Sequence, residues 1–553
     1  MPIRRFQLLA FEDIMLLQEG LLEEGSLHEL LCQQPDWLFP SFIFEGWRKD
    51  STIGRPGWPA ETLMGLVLLR YVEEGLSRVG AVRRARHDAQ WRAALRLPWH
   101  VSPPDEKTVR EFEAFLKADH QAVGEPRILV LFEHWTRLAL EQGVGSDEPV
   151  VVIDSTPMWC FGAVLGTVNL LGKGLRSLAR RWARARRVPL EVVATEWRAP
   201  LLLAKSTKGY FADTDWSDPA SRSKVLEALM RLVTQGVEQV QDALDTVREN
   251  KRLPLLRRCK NLVRVVTEDL ETTDDGSVQV VRRQSRERLI SHTDPEAQHF
   301  RKSHSKVCHG FKLHVLGDAI SGLIISLSVT PGGHHDSTQL HPLVARAKSL
   351  LSGLSRVLGD TAYGGIGGRL RIEDEFGVDV LAPPIRTASR SAVLGKDHFD
   401  IDFEAGIVTC PGGVCTSHRQ QAQSSTGQPT VAYRWEPGSE EDCSCRTQCL
   451  VHKPGAKKKN GERACPQRRL ILHPHEQALR AIRDDWERPE VRAAYRQRSQ
   501  GERLIREMTR RGGRRAMAFG LDNAQLQAYA IAAVNNLRLL SKQRALERTA
   551  RAA

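Results

Sequence analysis

No apolar run in these 553 residues outlasts a β-strand, which leaves nothing long enough to cross a bilayer as a helix of about 20 apolar residues. Met1-Pro2-Ile3-Arg4-Arg5-Phe6 soon meets Glu12 and Asp13, with no long apolar core or small-residue cleavage site, so no secretory signal is expected. A soluble, cytoplasmic protein with no membrane partner is expected. Acidic residues are the scarcer sign, 67 Asp and Glu against 80 Lys and Arg, a formal charge of +13. That excess favours a polyanionic partner, because clustered cations release counterions condensed on nucleic acid; a basic surface without a partner is the alternative. The clustering of cations from Arg176 to Arg187, Lys251 to Lys260, Lys457 to Lys459 and Arg503 to Arg515 favours nucleic acid. Among the ten cysteines there is no paired CxxC set, and a reducing cytoplasm argues against disulfides.

The chain is too long for one ordinary core at about 100 to 200 residues per domain, and its patterning divides it. Residues 1–120 read as a helical domain, with apolar residues at three and four spacing through Leu63, Leu66, Leu69 and Val72, Pro59 as a first-turn proline, and a helix beginning near Thr108. The Arg-rich stretch Ser77 to Arg92 reads equally as a DNA-contacting helix or a solvated face. From Val150 the pattern turns to buried strand. His309 to Leu316 and Leu323 to Thr330 read as a hairpin around Asp318-Ala319-Ile320-Ser321-Gly322. Helix Leu340 to Leu351, strand Arg356 to Asp360, helix Arg369 to Phe376 and strand Val378 to Leu381 follow. This order predicts an α/β fold with an RNase H-like mixed sheet core, assembled from 145–160, 300–382 and 483–545. A basic helical insertion at 161–299 and a Cys-rich insertion at 383–482 interrupt it.

Three acids carry the chemistry. Asp154 closes the apolar run Val150-Val151-Val152-Ile153, Asp360 closes Val357-Leu358-Gly359, and Glu502 lies in an Arg-rich helical pattern. Active-site groups of α/β sheets gather at strand ends, although Asp-Ser-Thr after Ile153 also suits a cap or turn. Two strand-end Asp and a helical Glu suit hard divalent cations, which take oxygen ligands and leave positions for water and phosphate. Tyr495, Arg498, Glu502, Arg506 and Thr509 follow spacings of three and four and fall on one predicted helix face. An intrahelical salt-bridge ladder is the alternative account of that face; the favoured one is Glu502 as a metal ligand, with the neighbouring Arg residues neutralising phosphates.

Tyr495, Arg498 and Glu502 carry the spacing Tyr, two residues, Arg, three residues, Glu. In this the chain resembles the DDE transposases of bacterial insertion sequences, in the branch whose signature ends in Lys six residues later; Thr509 stands there, with Arg510 beside it. Gly57-Trp58-Pro59 through Leu97, Thr293-Asp294-Pro295-Glu296-Ala297, His309-Gly310-Phe311-Lys312 and Asn535-Asn536-Leu537-Arg538 resemble further family segments. The resemblance implies a transposase that binds terminal inverted repeats and performs two-metal cleavage and strand transfer on double-stranded DNA. Asp154, Asp360 and Glu502 would be its Mg²⁺ (or Mn²⁺) ligands and catalytic residues. Tyr495, Arg498, Arg506 and Arg510 would contact DNA, and the protein would be a nucleoid-associated bacterial homodimer on its DNA. A metal-dependent nuclease without strand transfer and a catalytically decayed DNA-binding protein are the alternatives. Cys410, Cys415, Cys443, Cys445, Cys449 and Cys465, with His418 and His452, are candidates for a structural Zn²⁺ that would staple a coreless insertion; unligated thiols are the alternative. In Gly332-Gly333-His334-His335-Asp336, Asp336 or Ser337 reads as a helix N-cap rather than a metal ligand.

Overall fold

The computed structural model describes residues 20–47, 57–146, 149–303, 305–384, 394–423, 427, 429–435, 445 and 469–552. It shows a mixed α/β chain in two compact units, one of Met1–Val357 with Arg498–Ala553 and one of Leu358–Gln497.

The first unit begins with helices α1 (Leu27–Gln33), α2 (Ala60–Leu69), α3 (Arg78–His87), α4 (Ala89–Ala94), α5 (Glu106–Lys117) and α6 (Arg127–Glu141). Pro59 caps α2 from outside instead of occupying its first turn. Helix α5 starts before Thr108, because the Asp105 side chain accepts from the Thr108 backbone N–H at 2.7 Å and fixes the N-cap there. In Ser77 to Arg92 much of the positive charge is spent inside the unit. Arg78 pairs with Glu113, Arg84 with Glu73 and Asp88, and buried Arg92 donates to the carbonyls of Pro98 and Val101.

Strand β1 (Val150–Trp159) runs five residues beyond Asp154. Asp154 is therefore a mid-strand residue, not a strand end. Pairing decides this: β1 is antiparallel to the later strand 307–318, and the register continues from Asp154↔Val315 to Trp159↔Gly310. Thr156 and Met158 are buried along the way, so Ser-Thr-Pro, which reads as a turn in isolation, is held extended by its partner.

Helices α7 (Thr167–Arg186), α8 (Leu190–Glu196), α9 (Pro219–Asp242) and α10 (Glu249–Asp269) follow and share a core that includes Leu175, Trp182, Trp197, Leu229 and Leu262. The short ribbon β2 (Leu270–Thr272) and β3 (Val278–Val280) closes this segment. Where it returns to the sheet, buried Asp269 accepts from Arg288 at 2.8 Å and Thr167 at 2.7 Å.

Strands β4 (Gln298–Arg301), β5 (Val307–Asp318) and β6 (Ile324–Pro331) complete the antiparallel part of the sheet. Strand β5 is central, with β1 on one edge and β4 and β6 on the other. The β5–β6 hairpin falls where alternation places it, with Gly322 at φ +78° in the turn. Gly310, at φ +134°, sits where a Cβ would lie 2.4 Å from the Cys160 backbone nitrogen, so only glycine permits this approach. Helix α11 (Leu340–Leu350) and strand β7 (Arg356–Leu358) lead out of the unit.

In the second unit, Gly359 N donates to Leu381 O at 3.1 Å, joining the chain after β7 to β8 (Asp379–Leu381), with α12 (Ile366–Phe376) between them. Two three-stranded antiparallel sheets follow. One comprises β9 (Asp400–Asp402), β10 (Ile407–Thr409) and β11 (Cys415–Thr416). The other comprises β12 (Arg419–Gln423), β13 (Pro429–Arg434) and β14 (Arg469–Leu472). They share a core of Phe399, Ile401, Val408, Tyr433, Trp435, Leu470 and Leu472. This stretch reads as coreless because its apolar residues are few and widely spaced, yet they converge.

Helices α13 (Glu476–Trp486) and α14 (Pro489–Tyr495) end the second unit. A 3-10 turn at Arg496–Ser499 separates α14 from α15 (Gln500–Met508), so the Tyr495-to-Thr509 face is not one continuous helix. Back in the first unit, α16 (Leu521–Ala552) closes the fold. Glu296 accepts from the Leu521 N–H at its start, and Asp294 accepts from the Gly520 N–H. Midway, buried Asn536 accepts from Ile324 N and donates to Ile324 O and to Thr136. That satisfies a strand backbone that would otherwise be buried unpaired. Among the described residues no helix is long and apolar enough to cross a membrane.

Candidate active site

Helix α15 is placed by small-to-large contacts with the sheet. Val152 and Gly317 are register partners on β1 and β5. A Cβ on Gly501 would lie 2.7 Å from Val152 Cγ1, and one on Gly317 would lie 2.9 Å from Leu504 Cδ1. Gly501, Leu504 and Met508, spaced as one helix face, are buried against this pair of strands. The same approach puts the start of α15 beside Asp154, whose Oδ2 would be 3.7 Å from a Gly501 Cβ. Glu502, next in sequence, is exposed.

Asp154 Oδ1 accepts from the Ser155 backbone N–H at 2.8 Å and lies 3.4 Å from Arg498 Nη2. Arg498 is thus committed to a carboxylate in this arrangement, and its Nε is buried without a hydrogen-bond partner. Arg506 projects from the exposed part of α15, Arg510 is held by Glu507 at 3.0 Å, and Thr509 Oγ1 donates to the Arg506 carbonyl. Tyr495, in the second unit, packs edge-on against Trp486 at 4.8 Å.

Asp360 also belongs to the second unit. It is the N-cap of the 3-10 turn Thr361–Tyr363, accepting from the Ala362 N–H at 2.9 Å. Its carboxylate is partly exposed, as is that of Asp154. The donor chemistry fits a hard divalent cation, since the three candidates offer only carboxylate oxygens. The grouping is less complete: among the described residues no three His, Cys, Asp or Glu side chains converge on a point that would hold a metal ion. The same holds for zinc. Cys410 and Cys415 flank a hairpin in which Val414 N–H donates to Cys410 Sγ at 3.4 Å, and Cys445 is described alone. Cys443, Cys449, Cys465 and His452 lie outside the described residues.

The opposite face of β1 holds a polar network that spacing does not reveal. Ser155 Oγ donates to Asp336 Oδ2 at 2.6 Å, and Lys312 Nζ donates to Asp336 Oδ1 at 2.6 Å and to the His334 carbonyl at 2.8 Å. His314, the register partner of Ser155, is fully buried and hydrogen-bonds Thr330 Oγ1 at 3.0 Å. Asp336 is therefore not a helix cap. His335 takes that position, its Nδ1 accepting from the Ser337 N–H. Burial opposes the charge on Asp336, but the hydrogen bonds from Lys312 and Ser155 and the nearby positive charge prevail and hold its carboxyl below the ordinary value. Burial pushes His314 down to about 4, against the attraction of Asp336.

Both shifts act with the same sign. A neutral His314 stabilises the fold above the unfolded imidazole value of 6.5, and this is lost as pH falls toward about 4; the depressed Asp336 adds a loss through the carboxylate range below that. Urea unfolding midpoints should therefore fall between pH 6.5 and 4, and His314→Gln should flatten the upper part of that slope. An unchanged slope in the variant would assign the acid sensitivity elsewhere.

No curated protein and no solved structure matches this chain. Residues 275–537 do match the family model described as the transposase DDE domain, a span that contains Asp360 and Glu502 and begins after Asp154. This match supports a transposase of the DDE type.

Proposed function

We propose that the chain is a DNA transposase with an RNase H-like core, in which Asp154, Asp360 and Glu502 are the reactive carboxylates. The observation that carries this reading is the docking of α15 through Gly501 onto β1 beside Asp154, with Asp360 and Glu502 both inside the matched span. Divalent ions, when bound, would supply activation of the attacking oxygen and stabilisation of the leaving oxygen. The protein's own groups hold the strands. Arg498 keeps the Asp154 carboxylate in place until an incoming cation or phosphate competes for it, and Arg506 and Arg510 offer backbone contacts that fix register without reading sequence. Two DNA ends held together imply a homodimer on DNA. A structural zinc at Cys410, Cys415 and the neighbouring cysteines would be separate from this chemistry.

The test is cleavage of a labelled duplex carrying the element's terminal repeat, with Mg²⁺, with Mn²⁺ and with chelator, followed by joining of pre-cut ends. Cutting and joining that both require added metal support a transposase. Cutting without joining leaves the metal-dependent nuclease. Binding without cutting leaves the decayed DNA-binding protein, and no binding at all overturns the reading.

A further inference from the structure

Helix α15 has a second basic face, apart from the one that carries Glu502 and Arg506. About 100° around the axis from Glu502 stand Arg503 and Glu507, with Arg510 just past the end of the helix, facing the β5–β6 turn at Ser321 and Gly322, and α16 brings Arg538 and Lys542 against them. With Arg511 they line a pocket of ≈ 260 Å³ within the first unit, in which five cations face one carboxylate.

The pocket is built, not a chance gathering of surface cations. Arg511 is 2% exposed. Its guanidinium is fixed by the Tyr71 and Val72 carbonyls and by Glu507 at 3.3 Å, yet its Nε is buried with no hydrogen-bond partner. Arg503 is held by the Ala319 and Ile320 carbonyls at 3.2 and 2.9 Å. Glu507 is shared between Arg510 and Arg511. Arg538 is half-buried and Lys542 exposed, and neither makes a hydrogen bond or ion pair among the described residues. Burial first, and then the charges of Arg538 and Arg510 against the opposing pull of Glu507, push the Arg511 guanidinium down to about 10. Such a cluster gains most from a doubly hydrogen-bonding oxyanion.

We infer that this pocket binds a phosphate group, and that its occupant is a backbone phosphodiester of DNA lying outside the reacting site. The DNA source rests on the proposed function; the phosphate chemistry does not. Arg506 and Arg510 continue the positive surface from the Glu502 face to the pocket rim, so a duplex reaching Glu502 has a charged path to it.

The test uses the full chain and the double variant Arg538→Gln with Lys542→Gln, whose side chains hold no other part of the fold. One arm measures the rise in Tm given by inorganic phosphate over chloride at constant ionic strength. The other measures duplex affinity against salt. The proposal expects the phosphate-dependent rise to be lost, affinity at low salt to fall roughly tenfold, and the log–log salt slope to shrink by about 1. Loss of the phosphate effect with an unchanged DNA slope overturns DNA as the source and leaves a site for a free phosphate group. If phosphate and DNA responses are both unchanged in the variant, the pocket proposal is overturned. A wild-type protein that responds to phosphate through these residues but binds no DNA overturns the proposed function and not the pocket.

Discussion

Asp154→Ala, Asp360→Ala and Glu502→Ala should each lose DNA cleavage by at least about 10³-fold, roughly 4 kcal/mol of transition-state stabilisation. Combining any two should cost little more than one alone, because groups that act as a unit do not contribute additively. Duplex affinity should hold steady or rise, since each change removes negative charge near the path of a polyanion. Arg498 distinguishes Asp154 from the other two. In Asp154→Ala its guanidinium loses a carboxylate 3.4 Å away and is left more available to phosphate, so the gain in affinity should be largest there. Arg506→Ala, which removes an exposed cation and no reacting group, should lower cleavage about tenfold and weaken DNA uniformly. The measurements are single-turnover cutting at saturating DNA and equilibrium binding in the absence of metal. Cutting that survives in Asp154→Ala would move the reaction to other carboxylates. Cutting that survives only in Asp360→Ala would show that the second unit supplies no reacting group.

The parts of this arrangement differ in how far a reader of the chain alone could go, and the difference is one of range. The β5–β6 hairpin was legible because its signals are local: alternating apolar residues on either side of a turn that ends in Gly322. The continuation of β1 past Asp154 was not, because Ser155-Thr156-Pro157 favours a turn and only pairing with β5 overrides it. The break between Tyr495 and Gln500 was hidden for the opposite reason. The spacings of three and four persist across it, and a 3-10 turn leaves no mark on such a pattern. The Asp336 network joins residues 181 positions apart through Ser155 and 24 apart through Lys312. No window of helix or strand length contains both ends. Asp294 and Glu296 anchor the start of the last helix from more than 220 positions away, beyond the reach of any local pattern. A glycine leaves no mark on an apolar pattern, yet Gly501, in the first turn of α15, sets how closely that helix meets the sheet.

Gly501→Val should therefore disable the site while leaving a folded protein. Two effects oppose each other at this position. Helix propensity alone predicts that replacing glycine would stabilise α15, by less than the roughly 1 kcal/mol that alanine gains in a helix interior, because Gly501 lies in the first turn. Contact predicts the reverse, since a Cβ would stand 2.7 Å from Val152 Cγ1, and overpacking of this kind costs about 1–3 kcal/mol. The contact wins because the neighbour is a stiff β-branched side chain within β1, with Gly317 and the β5 strand fixed beside it. The helix must then shift outward, carrying Glu502 with it, and a displacement near 1 Å is enough to cost about 10²-fold in a reaction that depends on placement. Gly501→Ala should show a smaller loss, and adding Val152→Ala should restore much of it by opening the space the new methyl needs. Gly367, in α12, is the control. Nothing lies within 4 Å of its Cβ position, so Gly367→Ala should keep the propensity gain and leave cutting unchanged. Urea unfolding and single-turnover cleavage together decide the matter: a Gly501→Ala protein as stable and as active as wild type would show that the contact with Val152 does not set the position of Glu502.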